Sequence, residues 1–187
     1  MVPGVIRLVY ETHALTTDNE QGIATGWLQG DLSERGRELA RELGRRRRDD
    51  GIGAVFTSDL RRAVETAEIA FAGSGIPIHQ DERLRECDYG DLNGKPVEEV
   101  AATRLARIDA PFPNGESYMD VVGRTHEFLA ALLRDHDGER ILVIAHSANR
   151  WAIEHLLDGR PLAELIEEPF DWQPGWEYLL HQPATIL

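Results

Sequence analysis

The chain is poor in cysteine: Cys87 stands alone among 187 residues. A lone thiol cannot close an internal disulfide, which excludes a disulfide-stapled secreted scaffold and points to a reducing compartment, the cytoplasm. Long apolar runs are missing too. The longest, such as Ile141 to Ala145, are far too short to span a bilayer. The opening MVPGVIRLVY has no charged head, long apolar stretch and small-residue cleavage site, so no signal peptide is visible. Repeats, linkers and low-complexity tracts are absent, and residues 1–187 read as one domain. Positive charge is in deficit: 20 Lys and Arg against 33 Asp and Glu leave a net charge of −13. That balance argues against nucleic acid or an anionic membrane as partner, and an anionic substrate must find a local basic pocket.

What is present suits a globular α/β protein, with 42% hydrophobic and 28% charged residues. Val5 to Tyr10 is β-branched and aromatic and reads as a buried strand. Glu11 to Leu32 is polar, glycine-bearing and aperiodic, hence a long loop of the kind that carries function. Ser33 can cap a helix with a Leu39, Ala40, Leu43 stripe and a stop at Gly44. The run Arg45 to Arg48 reads as cations of a last helical turn rather than a nucleic-acid patch. Ala54 to Ser58 is a second strand, Asp59 to Ala72 a helix, and Ile76 to His79 a weak strand. Val97 to Ile108 looks helical, Ser117 to Asp135 more strongly so. Ile141 to Ala145 is a strand, Asn149 to Leu157 a helix and Trp176 to His181 a last strand. Alternating strands and helices predict a three-layer α/β/α domain around a mostly parallel sheet.

In such sheets ligands bind beyond the carboxyl ends of the strands. Three of those ends are polar: Thr12-His13-Ala14, Ser58-Asp59-Leu60-Arg61-Arg62, and His146-Ser147-Ala148-Asn149-Arg150. Guanidinium and imidazolium groups clamp phosphate oxygens, and a neutral imidazole can attack phosphorus. His79, His126, His136, His155 and His181 read as surface or satisfied core groups. Cys87 reads as a small buried hydrophobe. Trp27, Trp151, Trp172 and Trp176 read as packing, with Trp27 in the long loop the best candidate for a substrate contact.

Laid in order, these segments resemble the histidine phosphatase superfamily, which includes phosphoglycerate mutases and acid phosphatases. Thr12-His13-Ala14-Leu15-Thr16-Thr17-Asp18-Asn19 resembles its strand-end Arg-His-Gly-x-Thr-x-x-Asn block, and LSERGRELARELG its Leu-Thr/Ser-x-x-Gly helix start. SDLRRAVETA, RLRECDYGDLNG, PFPNGES and VIAHSANR resemble the blocks that follow. The resemblance implies a phosphoglycerate mutase-like fold with a small cap from about 93 to 117. It implies a metal-independent phosphatase, without cofactor, acting on a small phosphorylated metabolite through a phosphohistidine on His13. Glu86 is then the proton donor, with Asp88 as its rival in the same loop, and Arg62, His146 and Asn19 hold the phosphoryl oxygens.

The chain departs from the family block in carrying Thr12 for arginine, Ala14 for glycine and Leu15 for an often acidic residue. Losing a guanidinium at a transferring phosphoryl group costs about a thousandfold in rate elsewhere. Arg150, four residues beyond His146, is the candidate replacement cation, and Glu11 adds negative charge nearby. Thr12, Arg150, Ser147 and Trp27 therefore join Asn19 as candidate substrate contacts. Alternative readings are a weak or inactive member that binds a ligand or partner, a mutase-type phosphotransferase, and a pocket for a less anionic substrate. Pairing into a homodimer is left open.

Overall fold

The computed structural model describes residues 4–181. A sheet of five strands forms its centre, in the order β4-β3-β6-β1-β7, where β1 is Val5–Thr12, β3 Ala54–Thr57, β4 Ile78–Gln80, β6 Arg140–Ala145 and β7 Trp176–His181. Four strands run parallel, and β7 lies antiparallel on the β1 edge. A two-stranded ribbon pairs β2, Ile23–Ala24, with β5, Lys95–Pro96.

Side chains alternate across the strands, and each face buries its own helices. Ile6, Leu8, Tyr10, Ile141 and Val143 pack with Phe128, Leu129 and Leu132 of α5, Tyr118–Asp135, and with Ile153 of α6, Ser147–Asp158. Val9, Val55, Leu142 and Ile144 meet Leu43 of α2, Glu34–Arg47, and Ala67, Ala70 and Phe71 of α3, Arg61–Phe71. The result is the expected three-layer α/β/α sandwich. Each fully buried Val, Leu or Ile stabilises it by about 1.5–3 kcal/mol.

The helix starts follow their caps. Ser33 Oγ accepts from the Gly36 amide, and Ser117 with Asp120 forms a reciprocal capping box. Gly44 does not stop α2, which runs on to Arg47. It is there for proximity: a Cβ at Gly44 would lie 2.2 Å from the Ala70 carbonyl oxygen of α3. The long loop after β1 holds one turn of helix, α1, Thr17–Glu20, whose capping box joins Thr16 and Asn19, and β2. Between 97 and 108 the helix is only α4, Val97–Ala101, followed by a 3-10 turn, Arg104–Arg107. A short α7, Leu162–Leu165, is too brief to show a helical period in the sequence. The arginine run is not merely solvated: Arg47 is buried and bonds Glu11, Asp50 and the Pro174 carbonyl, while Arg48 reaches the Ala70 carbonyl. Among the described residues no helix is long and apolar enough to cross a membrane.

Replacing Gly44 by Ala should push α2 off α3 and destabilise the protein by about 1–3 kcal/mol, read as a lower denaturant midpoint. Gly123 on α5 is exposed, and a Cβ there would meet nothing within 4 Å. Gly123→Ala should instead stabilise by about 0.5–1 kcal/mol.

Candidate active site

The site begins with strand register. β1 and β6 are parallel neighbours with Thr12 opposite Ala145, and the His13 amide donates to the Ala145 carbonyl at 2.9 Å. The residue after each strand, His13 and His146, therefore emerges at the same edge. Their rings lie 5.1 Å apart, centroid to centroid. β3 flanks β6 on the other side with Thr57 opposite Ile144, which brings Ser58 beside His146, its Oγ 2.7 Å from Nε2. Arg62, in the first turn of α3, brings its Nη2 to 3.4 Å from His146 Nδ1.

His13 Nδ1 lies 2.8 Å from the Ala14 carbonyl oxygen. A carbonyl only accepts, so Nδ1 carries the proton and Nε2 keeps its lone pair. Burial, and then the Arg62 charge, hold the His13 pKa down at about 3, against a smaller opposing effect of the Ala14 carbonyl. The ring is neutral at pH 7. His146 is almost wholly buried and is held well below its ordinary value by burial, then Arg62 and His13. Arg62 is 2% exposed, with Nη1 donating to the Leu28 carbonyl at 2.8 Å and Nη2 to the Gly26 carbonyl at 2.7 Å. Gly26, at φ +54°, lies where the turn offers that carbonyl, and a Cβ there would overlap the Asn93 side chain.

Glu86 faces the same space from the loop before α4. Its Oε1 accepts from the Cys87 amide at 2.8 Å and the Ala148 amide at 3.3 Å. Burial raises its pKa, opposed by the Cys87 amide and by the charges of Arg62, Arg104 and Arg124. The loop itself is clamped from α5: Arg124 donates to the carbonyls of Arg83, Arg85 and Glu86 and to the Glu116 carboxylate. Asp88 is used otherwise, accepting from the Gly90 amide and the Asn93 side chain, and it does not line the cavity.

These groups open on a cavity of about 690 Å³. Thr12, His13, Asn19, Arg62, Glu86 and Ser147 line it, while Tyr89, Val97, Arg104 and Trp151 form another part of the wall. His146 stands just behind, bonded to Ser58 and Arg62. Asn19 spends its carbonyl on the Thr16 amide, which fixes its orientation.

Two expectations are corrected. Arg150 does not enter the cavity: its Nη1 is bonded to Glu154 and its guanidinium lies 4.8 Å over the Trp176 ring, because the α6 helix turns that position toward β7. Trp27 does not line the cavity either. Its Nε1 donates to the Glu86 carbonyl at 2.7 Å, and Arg85 lies 4.7 Å over its ring, so it braces the loop that carries Glu86. Glu11 is 2% exposed and neutralised by Arg46 and Arg47. Cys87 is fully buried among Tyr89, Val100 and Phe112. Sequence reasoning does not single out Arg104, and it places Ser58 at a polar strand end without giving it a role. For Ser58 a signal exists, since it is the first residue beyond a parallel strand.

The sequence profile of the histidine phosphatase superfamily, branch 1, matches residues 12–172. The chain is 37% identical over 170 residues to a 2,3-bisphosphoglycerate-dependent phosphoglycerate mutase of Methylobacterium, covering 81% of this chain and 80% of that one. Among solved structures, YhfR of Bacillus stearothermophilus superposes with a TM-score of 0.82 at 31% identity, over 93% of this chain and 90% of its own. A mycobacterial glucosyl-3-phosphoglycerate phosphatase superposes with a TM-score of 0.74 at 30% identity, over 87% of this chain and 84% of its own. With two histidines at adjacent strand ends over a buried arginine, the chain belongs to the histidine phosphatase superfamily.

Proposed function

We propose that the protein is a phosphatase that hydrolyses a small phosphorylated metabolite through a phosphohistidine on His13. The observation that carries this reading is the neutral His13 ring, tethered at Nδ1 by the Ala14 carbonyl, with its Nε2 lone pair left as nucleophile. In the first half-reaction Nε2 attacks phosphorus in line, the bond from phosphorus to the ester oxygen breaks, and Glu86 protonates the departing alkoxide. In the second, Glu86 as carboxylate takes a proton from water, whose oxygen attacks phosphorus and releases His13 and inorganic phosphate. Arg62 and His146 hold the charge that builds on the phosphoryl oxygens, with Asn19 and the hydroxyls of Thr12 and Ser147 as neutral contacts. The relatives' activities, a mutase acting with bisphosphoglycerate and a phosphatase of glucosyl-3-phosphoglycerate, both concern phosphate esters and agree with this chemistry. We read the protein as cytoplasmic from its single buried thiol, and as one domain whose cap segment contributes Val97 and Arg104 to the cavity wall.

A second reading, a weak or inactive member that binds a ligand, draws on Thr12. Among the described residues, Arg150 does not replace the missing guanidinium, and Arg62 is tied to two carbonyls. Phosphate release from an aryl phosphate, with and without EDTA, separates the two. Turnover by the native protein that is insensitive to EDTA and falls at least a thousandfold in His13→Ala is expected; a native rate equal to that of His13→Ala selects the binding reading.

Glu86 works as an acid only while protonated, so kcat at saturating substrate should decline as pH rises through its elevated pKa. His13 is already neutral from about pH 3 upward. Glu86→Gln should cut kcat for a poor leaving group by about 10²–10⁴-fold, and should flatten that alkaline limb. A retained limb would show that another group titrates.

Stability responds with the opposite sign at the histidine. His13 has a folded pKa of about 3 against about 6.5 unfolded. Its contribution is present above pH 6.5 and is lost as pH falls toward 3, because the unfolded chain takes up the proton first. Denaturation of the native protein and His13→Ala at pH 7, 5.5 and 4 should show a shallower loss in the variant.

A further inference from the structure

The hydrogen bonds around His146 determine where its proton sits. Arg62 Nη2 approaches His146 Nδ1 at 3.4 Å, and a guanidinium only donates. Nδ1 therefore presents its lone pair, and the proton of the neutral ring is on Nε2. Ser58 Oγ, 2.7 Å from Nε2, is then the acceptor. Ser58 is wholly buried, and its backbone is held by the β3–β6 register and by Thr57 Oγ1, which donates to the Ser58 carbonyl. A buried hydroxyl in that place leaves Nδ1, the nitrogen that Arg62 meets, as the basic one.

We propose that Ser58 is a positioning residue that keeps His146 as its Nε2–H tautomer, so that a phosphate group binds at Nδ1 together with one proton. The inference rests on the phosphoryl-transfer reading above. The bound group is a phosphate monoester or inorganic phosphate carrying one acidic P–OH. Its proton passes to Nδ1, Arg62 Nη2 shifts its hydrogen bond from Nδ1 to a phosphoryl oxygen, and His146 becomes an imidazolium that donates from Nδ1 to the phosphoryl group and from Nε2 to Ser58. No phosphorus–oxygen bond changes in this step. The groups around the ring fit. His13 faces it from β1, Arg62 from α3 and Arg124 bears on it from α5. The Tyr10 hydroxyl donates to the His146 carbonyl, and the Glu86 carboxylate is held against the first turn of α6. Burial and the Arg62 charge keep the ring neutral without an anion; a dianion about 3 Å away reverses that balance.

The test uses the intact protein with ¹⁵N-labelled histidine and inorganic phosphate as probe. Free His146 should show protonated Nε2 and unprotonated Nδ1, and saturating phosphate should protonate both. At pH 8, where free phosphate is mostly the dianion, calorimetry in buffers of different ionisation enthalpy should show close to one proton taken up per phosphate bound. Ser58→Ala should weaken phosphate binding at pH 8 about tenfold, the worth of one buried hydrogen bond, and Ser58→Thr, which keeps the hydroxyl, should restore it. Thermal unfolding of both variants establishes that they fold, and the native spectra need no variant. A free Nδ1–H tautomer, binding without proton uptake, or a folded Ser58→Ala that binds like the native protein would each overturn the proposal. Failure of the native protein to bind phosphate would overturn the proton-coupled step and the phosphatase reading together, while the free tautomer still judges Ser58 separately.

Discussion

The site depends on one constraint, the parallel pairing of β1 with β6. Hydrogen bonds between neighbouring strands fix their relative position to the residue, and a slip of one would turn every side chain to the other face. With Thr12 opposite Ala145, the chain leaves both strands at the same level, and the two histidines that follow must face each other. The chain reaches β3 from β1 across α2, and only later inserts β6 between them. That reversal of direction opens a crevice at the strand ends, where α3 and α6 begin. Arg62 and Ser147 come from those first turns.

Electrostatics then shape what the crevice can hold. A protein of net charge −13 places a buried arginine and two neutral imidazoles at the strand ends, and pairs Glu11, which stands in the cavity wall, with Arg46 and Arg47 on the α2 side. Burial in a low dielectric is what keeps the histidines neutral and raises Glu86, so one physical effect prepares a nucleophile and an acid at the same pH. The loop holding Glu86 is rigid because Arg124 and Trp27 fill its carbonyls.

Strands and helices are legible in the sequence wherever apolar periodicity and caps coincide, as at Ser117 and along Ile141 to Ala145. Gly44 misleads because its role is the distance between two helices, which leaves no trace in local sequence. The segment from Glu11 to Leu32 shows no pattern since α1 and β2 are too short to have a period; they are held by the Thr16 and Asn19 cap and by pairing with β5. Asp88 and Glu86 are equivalent by composition and part only when Gly90 and Asn93 claim Asp88.

The sequence by itself determined the layered α/β fold and the residues at the strand ends, because hydrophobic period and turn chemistry are local properties. It also carried the family through several short blocks in order. Only the tertiary structure decided the directions of side chains: Arg150 turned to Glu154 and Trp176, Trp27 became a brace, and Ser58 met His146. Helix phase and strand register, set by packing between segments far apart in the chain, decide which way a side chain points.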